Sequence, residues 1–228
     1  MTRIIAGAAK GRRVATPTGS RTRPTTDRVR EAVFSVIASW AGTLGEPAAS
    51  QLDGLAFLDL FAGSGAVGLE AASRGASPVW AVESDPATAR LIRRNAAGFG
   101  LPVSVLARGA EAVVGGRPSV FNSVSDAVSP RSGPAPRVSS DSLSSDSVPS
   151  DLGSFDIVWA DPPYVYDDDK LDALLVSLVG NGWLAAQALV VVERSSRGRA
   201  PRWPPGLEVL PVRGYGETSV HFATKGGA

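Results

Sequence analysis

Apolar residues in the chain form short continuous runs separated by stretches with helical spacing. The runs have the length of buried strands, and we predict strands at 55–61, 78–83, 103–107, 155–160, 188–193, 207–212 and 219–223. Helix-compatible patterns lie between them, at 66–74, 86–97 and 170–180. This alternation is typical of a parallel sheet with helices on both faces, and the last two strands are expected to form an antiparallel pair.

Two further elements are predicted ahead of this alternation. Apolar residues repeat at helical spacing from about 26 to 40, with Asp27 in the first turn, where the helix dipole favours a carboxylate. Two short segments, 3–6 and 12–15, flank a glycine-containing region at 7–11. We therefore predict an α/β fold with an N-terminal β-hairpin extension.

The composition changes abruptly in the middle of the chain. Between 115 and 150 there are twelve serines and five prolines. Such a segment cannot bury enough apolar surface to offset the entropy of ordering it, so we predict a disordered insertion at about 115–152. The 228 residues then divide into a basic arm at 1–22 and one catalytic domain at 23–228 that carries the insertion.

Several classes of protein are excluded or disfavoured. There are no cysteines and one histidine, His221, so we expect neither a disulfide framework nor a cysteine- or histidine-based metal site. No apolar run is long enough to span a bilayer, and the first ten residues do not have the pattern of a secretory signal. We expect a cytoplasmic protein with no membrane partner and no metal.

Positive charge is concentrated at the beginning of the chain. The net charge is only +1, but the first 31 residues contain eight Arg or Lys and two acids. This pattern favours a phosphate-rich partner such as nucleic acid, although a solvated surface segment can have the same composition. The residues that we expect to bind it are Arg3, Lys10, Arg12, Arg13, Arg21 and Arg28.

A glycine-rich turn follows the first strand of the alternation. Gly63, Gly65 and Gly68 match the dinucleotide pattern G-x-G-x-x-G, and Glu83 stands about 20 residues further on, where an acid can bind ribose hydroxyls. Taken literally, this is an NAD site. Asp59 argues against it, because a carboxylate there disfavours a pyrophosphate and suits a cation. S-adenosylmethionine has two cationic groups, a sulfonium and an ammonium.

The second chemical motif is Asp161-Pro162-Pro163-Tyr164, at the end of a buried strand. Two prolines stiffen the backbone and leave the Pro162 carbonyl as an acceptor beside the Asp161 carboxylate. The two acceptors can hold both hydrogens of an aromatic NH2 group and direct its lone pair at a methyl carbon, while Asp161 stabilises the developing positive charge. Tyr164 offers a ring on which an extruded base can stack.

Together these motifs resemble the class I S-adenosylmethionine-dependent methyltransferases, which have a Rossmann-like seven-stranded sheet. Segment 23–34, with the sequence RPTTDRVREAVF, is similar to the one ahead of the first core strand in the RsmD family, and so are 3–7 and the closing 215–218. That family methylates the N2 amino group of a guanine in 16S ribosomal RNA. The resemblance covers nearly the whole chain except the insertion.

The resemblance implies a role for each part of the cofactor site. It places Arg23 and Thr25 near the methionine end of S-adenosylmethionine, Glu83 on the ribose, and Ala110 and Glu111 beside the adenine, and Ser84 is a further expected cofactor-binding residue. The residues that it places beneath the cofactor are Asp59, Phe61, Ala62, Gly63, Ser64 and Gly65. The expected partner is ribosomal RNA or a partly assembled small subunit, and we expect the protein to be a monomer.

Three other functions remain open at this point. The Asp-Pro-Pro-Tyr motif does not identify the base, so the enzyme could methylate the N6 amino group of adenine in DNA; the small N-terminal hairpin, in place of a larger DNA-reading domain, disfavours this. The literal glycine pattern allows an NAD-dependent oxidoreductase. A non-catalytic RNA-binding protein with a degenerate site is the third.

Overall fold

The computed structural model describes residues 2–17, 27–118 and 153–226. These residues form seven strands: β1 (Phe57–Leu60), β2 (Val79–Val82), β3 (Val103–Leu106), β4 (Phe155–Ala160), β5 (Leu184–Ser195), β6 (Leu207–Tyr215) and β7 (Thr218–Lys225). The strands form one sheet in the order β3-β2-β1-β4-β5-β7-β6. Strands β1 to β5 pair in parallel, and β7 runs antiparallel between β5 and β6.

The described residues also form five helices: α1 (Asp27–Trp40), α2 (Ala66–Ser73), α3 (Pro86–Phe99), α4 (Ala110–Val114) and α5 (Asp168–Gly180). Consecutive strand residues point to opposite faces of the sheet, which divides the core in two. Leu58 packs with residues of α4 and α5 on one face, and Phe57 packs with residues of α1 and α2 on the other. The predicted α/β architecture is confirmed.

The N-terminal segment is less regular than the predicted hairpin. One isolated antiparallel bridge joins Arg3 to Arg13, so the strands expected at 3–6 and 12–15 are reduced to a single pair. The segment is held instead by the core, because the buried Glu70 carboxylate of α2 accepts hydrogen bonds from the backbone N–H groups of Ile5 (2.7 Å) and Ala6 (3.0 Å).

Most predicted elements differ from the observed ones by a few residues at their ends. The short helix α4 was not predicted, and β5 begins four residues earlier than expected. The start of the first helix at 26, the residues Arg21, Arg23 and Thr25, and most of the expected insertion, 119–152, lie outside the described residues. No helix in the described ranges has the length and apolar character needed to cross a membrane.

Candidate active site

The glycine-rich turn links the end of β1 to the start of α2. Phe61, Gly63 and Gly65 all have positive φ angles of 66°, 54° and 79°, and Gly65 is the N-cap of α2. A Cβ atom on Gly65 would lie 2.7 Å from a methyl group of Ile92 in α3, so only glycine fits there. The non-glycine Phe61 in this conformation marks local backbone strain, which is common beside ligands.

Asp59 is a buried carboxylate directly below this turn. Its side chain is 1% exposed, and its Oδ2 accepts a hydrogen bond from the Gly68 N–H at 2.9 Å. Burial raises the pKa of Asp59 to about 7, with a smaller contribution from the negative charge of Glu83, and the hydrogen bond from Gly68 only partly opposes this rise. A cationic ligand in contact with Asp59 would favour its ionised form.

Glu83 follows β2 and is fixed by backbone donors. Its Oε2 accepts from the Gly63 N–H at 2.9 Å, and its Oε1 accepts from the Asp85 N–H at 2.8 Å. The Ser84 hydroxyl also donates to Oε1 at 3.4 Å. A carboxylate offers about four lone-pair positions, so Oε2 can still accept from a ligand hydroxyl group. The glycine turn therefore orients the acid that was predicted to bind ribose.

The region predicted to lie beside the adenine is built around α4. Glu111 is in its first turn, and the Tyr166 hydroxyl donates to Glu111 Oε1 at 2.6 Å. The Tyr166 ring packs edge-on against Phe61, with 5.0 Å between centroids. Burial raises the pKa of Tyr166 and the Glu111 carboxylate raises it further, so the hydroxyl stays protonated.

The Asp-Pro-Pro-Tyr motif follows β4, which lies beside β1 in the sheet. The ends of two adjacent parallel strands meet at one edge, so Asp161 and Asp59 come to the same crevice. A turn closes after the motif, where the Tyr166 N–H donates to the Pro163 carbonyl at 2.8 Å. Tyr164 is 53% exposed, which leaves its ring available at the mouth.

One cavity of about 430 Å³ brings both motifs together. The predicted residues that line it are Asp59, Phe61, Ala62, Gly63, Ser64, Glu83, Ser84, Ala110, Glu111, Asp161, Pro162, Pro163 and Tyr164. Gly65 is not among the lining residues and serves the turn itself. Within the described ranges, no group of three or more acidic, His or Cys side chains could hold a metal.

Some lining residues were not predicted. Arg30 and Trp159 are buried and line the cavity. Arg30 Nε and Trp159 Nε1 have no hydrogen-bond partner among the described residues. Glu193, Thr16 and Pro17 also contribute to the wall. The buried donors at the cavity suit a ligand that has a carboxylate, and the buried acids suit a ligand that has a cationic group. An amino acid moiety has both groups, so the cavity fits a ligand such as S-adenosylmethionine.

The basic residues expected to bind nucleic acid are on the surface. Arg3, Lys10, Arg12, Arg13 and Arg28 are all exposed. The Arg12 guanidinium lies over the Phe99 ring at 5.1 Å and donates to the Gly98 carbonyl, which places it at the C-terminal end of α3. Sequence reasoning missed three exposed arginines of α3: Arg90, Arg93 and Arg94.

A sheet of this strand order, with β7 antiparallel between β5 and β6, is the fold of the class I methyltransferases, and the chain is an S-adenosylmethionine-dependent methyltransferase of that class. It matches the model of a family described as Conserved hypothetical protein 95 over residues 2–128 and 134–224. The chain belongs to this family, which is the RsmD family. The NAD interpretation of the glycine pattern is therefore wrong.

Relatives agree with this assignment. The chain is 32% identical over 202 residues to ribosomal RNA small subunit methyltransferase D of Escherichia coli K12, covering 89% of this chain and 79% of the relative. The solved structure of Escherichia coli yhhF has a TM-score of 0.71 and 27% identity, with 99% and 98% of the chains covered. An RNA methyltransferase from Salinibacter ruber, solved with S-adenosyl-L-homocysteine, shares the fold at 15% identity and a TM-score of 0.52. The match covers 90% of this chain and 95% of that one.

Proposed function

We propose that this enzyme methylates the exocyclic N2 amino group of a guanine in small-subunit ribosomal RNA. The observation that carries the proposal is that Asp161 and the prolines line the same cavity as Asp59 and Glu83. The name of the Escherichia coli relative supports ribosomal RNA as the substrate. The proposal includes a monomer that acts in the cytoplasm on naked ribosomal RNA or on a partly assembled small subunit.

S-adenosylmethionine supplies an electrophilic methyl group on a sulfonium. In our proposal Glu83 accepts from the ribose hydroxyls, Ala110 and Glu111 flank the adenine, and the ionised Asp59 faces the cationic end. Arg30 donates to the carboxylate of the methionine moiety, because its unpartnered Nε needs an acceptor. Arg23 and Thr25, predicted at the same end, lie outside the described residues.

The base enters from the mouth of the cavity beside Tyr164. Asp161 and the Pro162 carbonyl accept the two hydrogens of the amino group, which directs the nitrogen lone pair toward the methyl carbon. Formation of the new N–C bond would break the methyl–sulfur bond and release S-adenosylhomocysteine. The amino nitrogen would become positive, the Asp161 carboxylate would stabilise that charge, and the extra proton would then leave through Asp161 to solvent. The tertiary amide of Pro163 contributes no N–H that could compete for these acceptors.

Tritiated methyl transfer tests the substrate class directly. We expect incorporation into small-subunit ribosomal RNA or its assembled particle and none into duplex DNA, with N2-methylguanine as the product after nuclease digestion. N6-methyladenine in DNA would instead establish the DNA alternative. Binding of RNA and S-adenosylhomocysteine without any transfer would establish the non-catalytic alternative.

Replacement of Asp161 tests the chemistry. We expect Asp161→Ala to lower kcat by about 10²- to 10³-fold, because a preorganised charge that faces the reacting nitrogen is lost. S-adenosylhomocysteine affinity, measured by calorimetry, should stay within about twofold. Asp169→Asn is the matched control, since Asp169 is an exposed acid of α5 that does not line the cavity.

A further inference from the structure

Val165 is the most exposed large apolar residue of the described chain. Its side chain is 95% exposed, whereas Leu44, Val176, Val209 and Val212 range from 54% to 64%. It stands between two residues that line the cavity, Tyr164 and Tyr166, without lining the cavity itself. A single exposed valine needs no explanation on an ordinary surface, but this one is at the mouth of the active site.

The turn that carries Val165 is fixed at both ends. On one side, Pro162 and Pro163 restrict the backbone. On the other, Tyr166 is held through its N–H by the Pro163 carbonyl at 2.8 Å and through its hydroxyl by Glu111, while its carbonyl accepts from Arg194 at 3.2 Å. A turn anchored in this way presents its central side chains, Tyr164 and Val165, in a defined direction.

A base inside an RNA helix or stacked loop has to leave its neighbours before its amino group can reach Asp161. The vacated position exposes the faces of the adjacent bases to water, and apolar side chains are known to insert between base steps in other nucleic-acid complexes. Tyr164 is positioned to stack on the extruded base. The next residue, Val165, is the apolar side chain that remains free at the same mouth.

We propose that Val165 is a positioning residue that occupies the gap left in the RNA stack by the extruded guanine. This inference rests on the proposed function, because it requires a nucleic acid base as the substrate. Its contribution is to lower the cost of holding the base outside the stack. Val165 is therefore needed when the target is stacked and dispensable when the target is already unstacked.

The test first maps the guanine that the wild type methylates in small-subunit ribosomal RNA, and then compares two RNAs that contain it. In the first, the guanine is in its natural stacked context, and in the second, the neighbouring nucleotide is abasic. Single-turnover methylation is measured for the wild type, Val165→Ser, Val165→Ile and the control Val176→Ser, which alters an exposed valine of α5. S-adenosylhomocysteine affinity is measured for each variant.

We expect Val165→Ser to lower the rate about 10-fold or more on the stacked RNA and to approach the wild-type rate on the abasic RNA. Val165→Ile should restore most of the rate, and Val176→Ser should have no effect. An unchanged rate for Val165→Ser on the stacked RNA, or an equal loss on both RNAs, would overturn the inference and leave the proposed function intact. A wild type that methylates neither RNA would overturn both.

Discussion

Asp59 connects the stability of the fold to the cofactor site. Its pKa is raised from 3.8 to about 7, mainly by burial, so the folded protein holds a proton on Asp59 that the unfolded chain loses above about pH 4. Because the folded state binds more protons between these values, this group lowers the free energy of unfolding as pH rises from about 4 to about 7. The carboxylate is thus retained at a cost to stability.

We expect Asp59→Asn to remove this part of the pH dependence. The asparagine does not ionise. The free energy of unfolding of the variant, relative to that of the wild type, should therefore be higher at pH 8 than at pH 5. Urea unfolding at the two pH values measures the difference, with Asp169→Asn as a control at an exposed site. The same relative stability of Asp59→Asn at both pH values would contradict the assigned protonation. S-adenosylhomocysteine binding should nevertheless weaken.

The hydrogen bond between Tyr166 and Glu111 orients the acid that we place beside the adenine. Tyr166→Phe removes the donor and keeps the ring that packs on Phe61. We expect the KM for S-adenosylmethionine to rise about fivefold, which corresponds to about 1 kcal/mol for one lost hydrogen bond, with little change in kcat.

Steady-state kinetics with varied S-adenosylmethionine separate the two parameters. Tyr215→Phe is the control, because Tyr215 is in β6 and does not line the cavity. A fall in kcat with an unchanged KM would show that Tyr166 acts on the base and not on the cofactor.

At the scale of elements, the sheet was largely predictable and the short irregular pieces were not. Strand β4 matches its prediction at both ends because it is one continuous apolar run. The early part of β5 was missed because partly exposed residues interrupt its pattern, and Gln187 has a positive φ of 62°. Helix α4 has only five residues, too few to establish a helical period.

The same contrast holds for the site. The glycine turn and the Asp-Pro-Pro-Tyr motif are local signals, so the sequence predicts them directly. Arg30 is one of several charged residues in α1, and only the tertiary structure shows that it is buried and lines the cavity. Glu193 lies near the end of the apolar strand β5 and has no motif around it, so its presence in the cavity wall depends on the strand order.

Two residues of α2, Glu70 and Ser73, attach the N-terminal segment to the core, and Glu70 is the charged one. This residue is fully buried, accepts from the Ile5 and Ala6 N–H groups and pairs with Arg74 at 2.8 Å. Glu70→Ala leaves these donors without their acceptor, and we expect a loss of about 3 kcal/mol in the free energy of unfolding. Glu70→Gln keeps one acceptor oxygen and should lose less.

Limited proteolysis distinguishes local release from global destabilisation. Trypsin can cleave after Lys10, Arg12 and Arg13, and release of the segment should make these sites more sensitive in Glu70→Ala than sites in the sheet. Equal protection of Lys10 in the wild type and in Glu70→Ala would show that Glu70 does not hold the segment.

For the molecule as a whole, the positions of positive charge suggest how the RNA lies. Residues 2–17 and helix α3 contain no acid. Arg12 donates to the Gly98 carbonyl at the C-terminal end of α3, and Ala15 is hydrogen-bonded to Asn95 of the same helix. Thr16 lines the cavity together with Thr88 of the first turn of α3, so the segment runs alongside the helix toward the cavity. Fourteen residues of helix span about 21 Å, and we propose that the RNA follows this length from the mouth of the cavity to Lys10, Arg12 and Arg13.

This arrangement predicts a salt dependence for RNA binding that the arm controls. Each phosphate contact contributes about 0.7 to 0.9 to the slope of log K against log salt, so Lys10→Glu with Arg13→Glu should lower the slope by about 1.4 to 1.8 and weaken binding. Arg117→Glu is the control, because Arg117 lies on the face of the sheet opposite to α3. The neighbouring Gly116 carbonyl there accepts from Nε1 of Trp183, which packs with α4 and α5. S-adenosylhomocysteine affinity should not change in any variant. An unchanged slope in the double variant would place the RNA elsewhere, since two lost contacts exceed the error of such a titration.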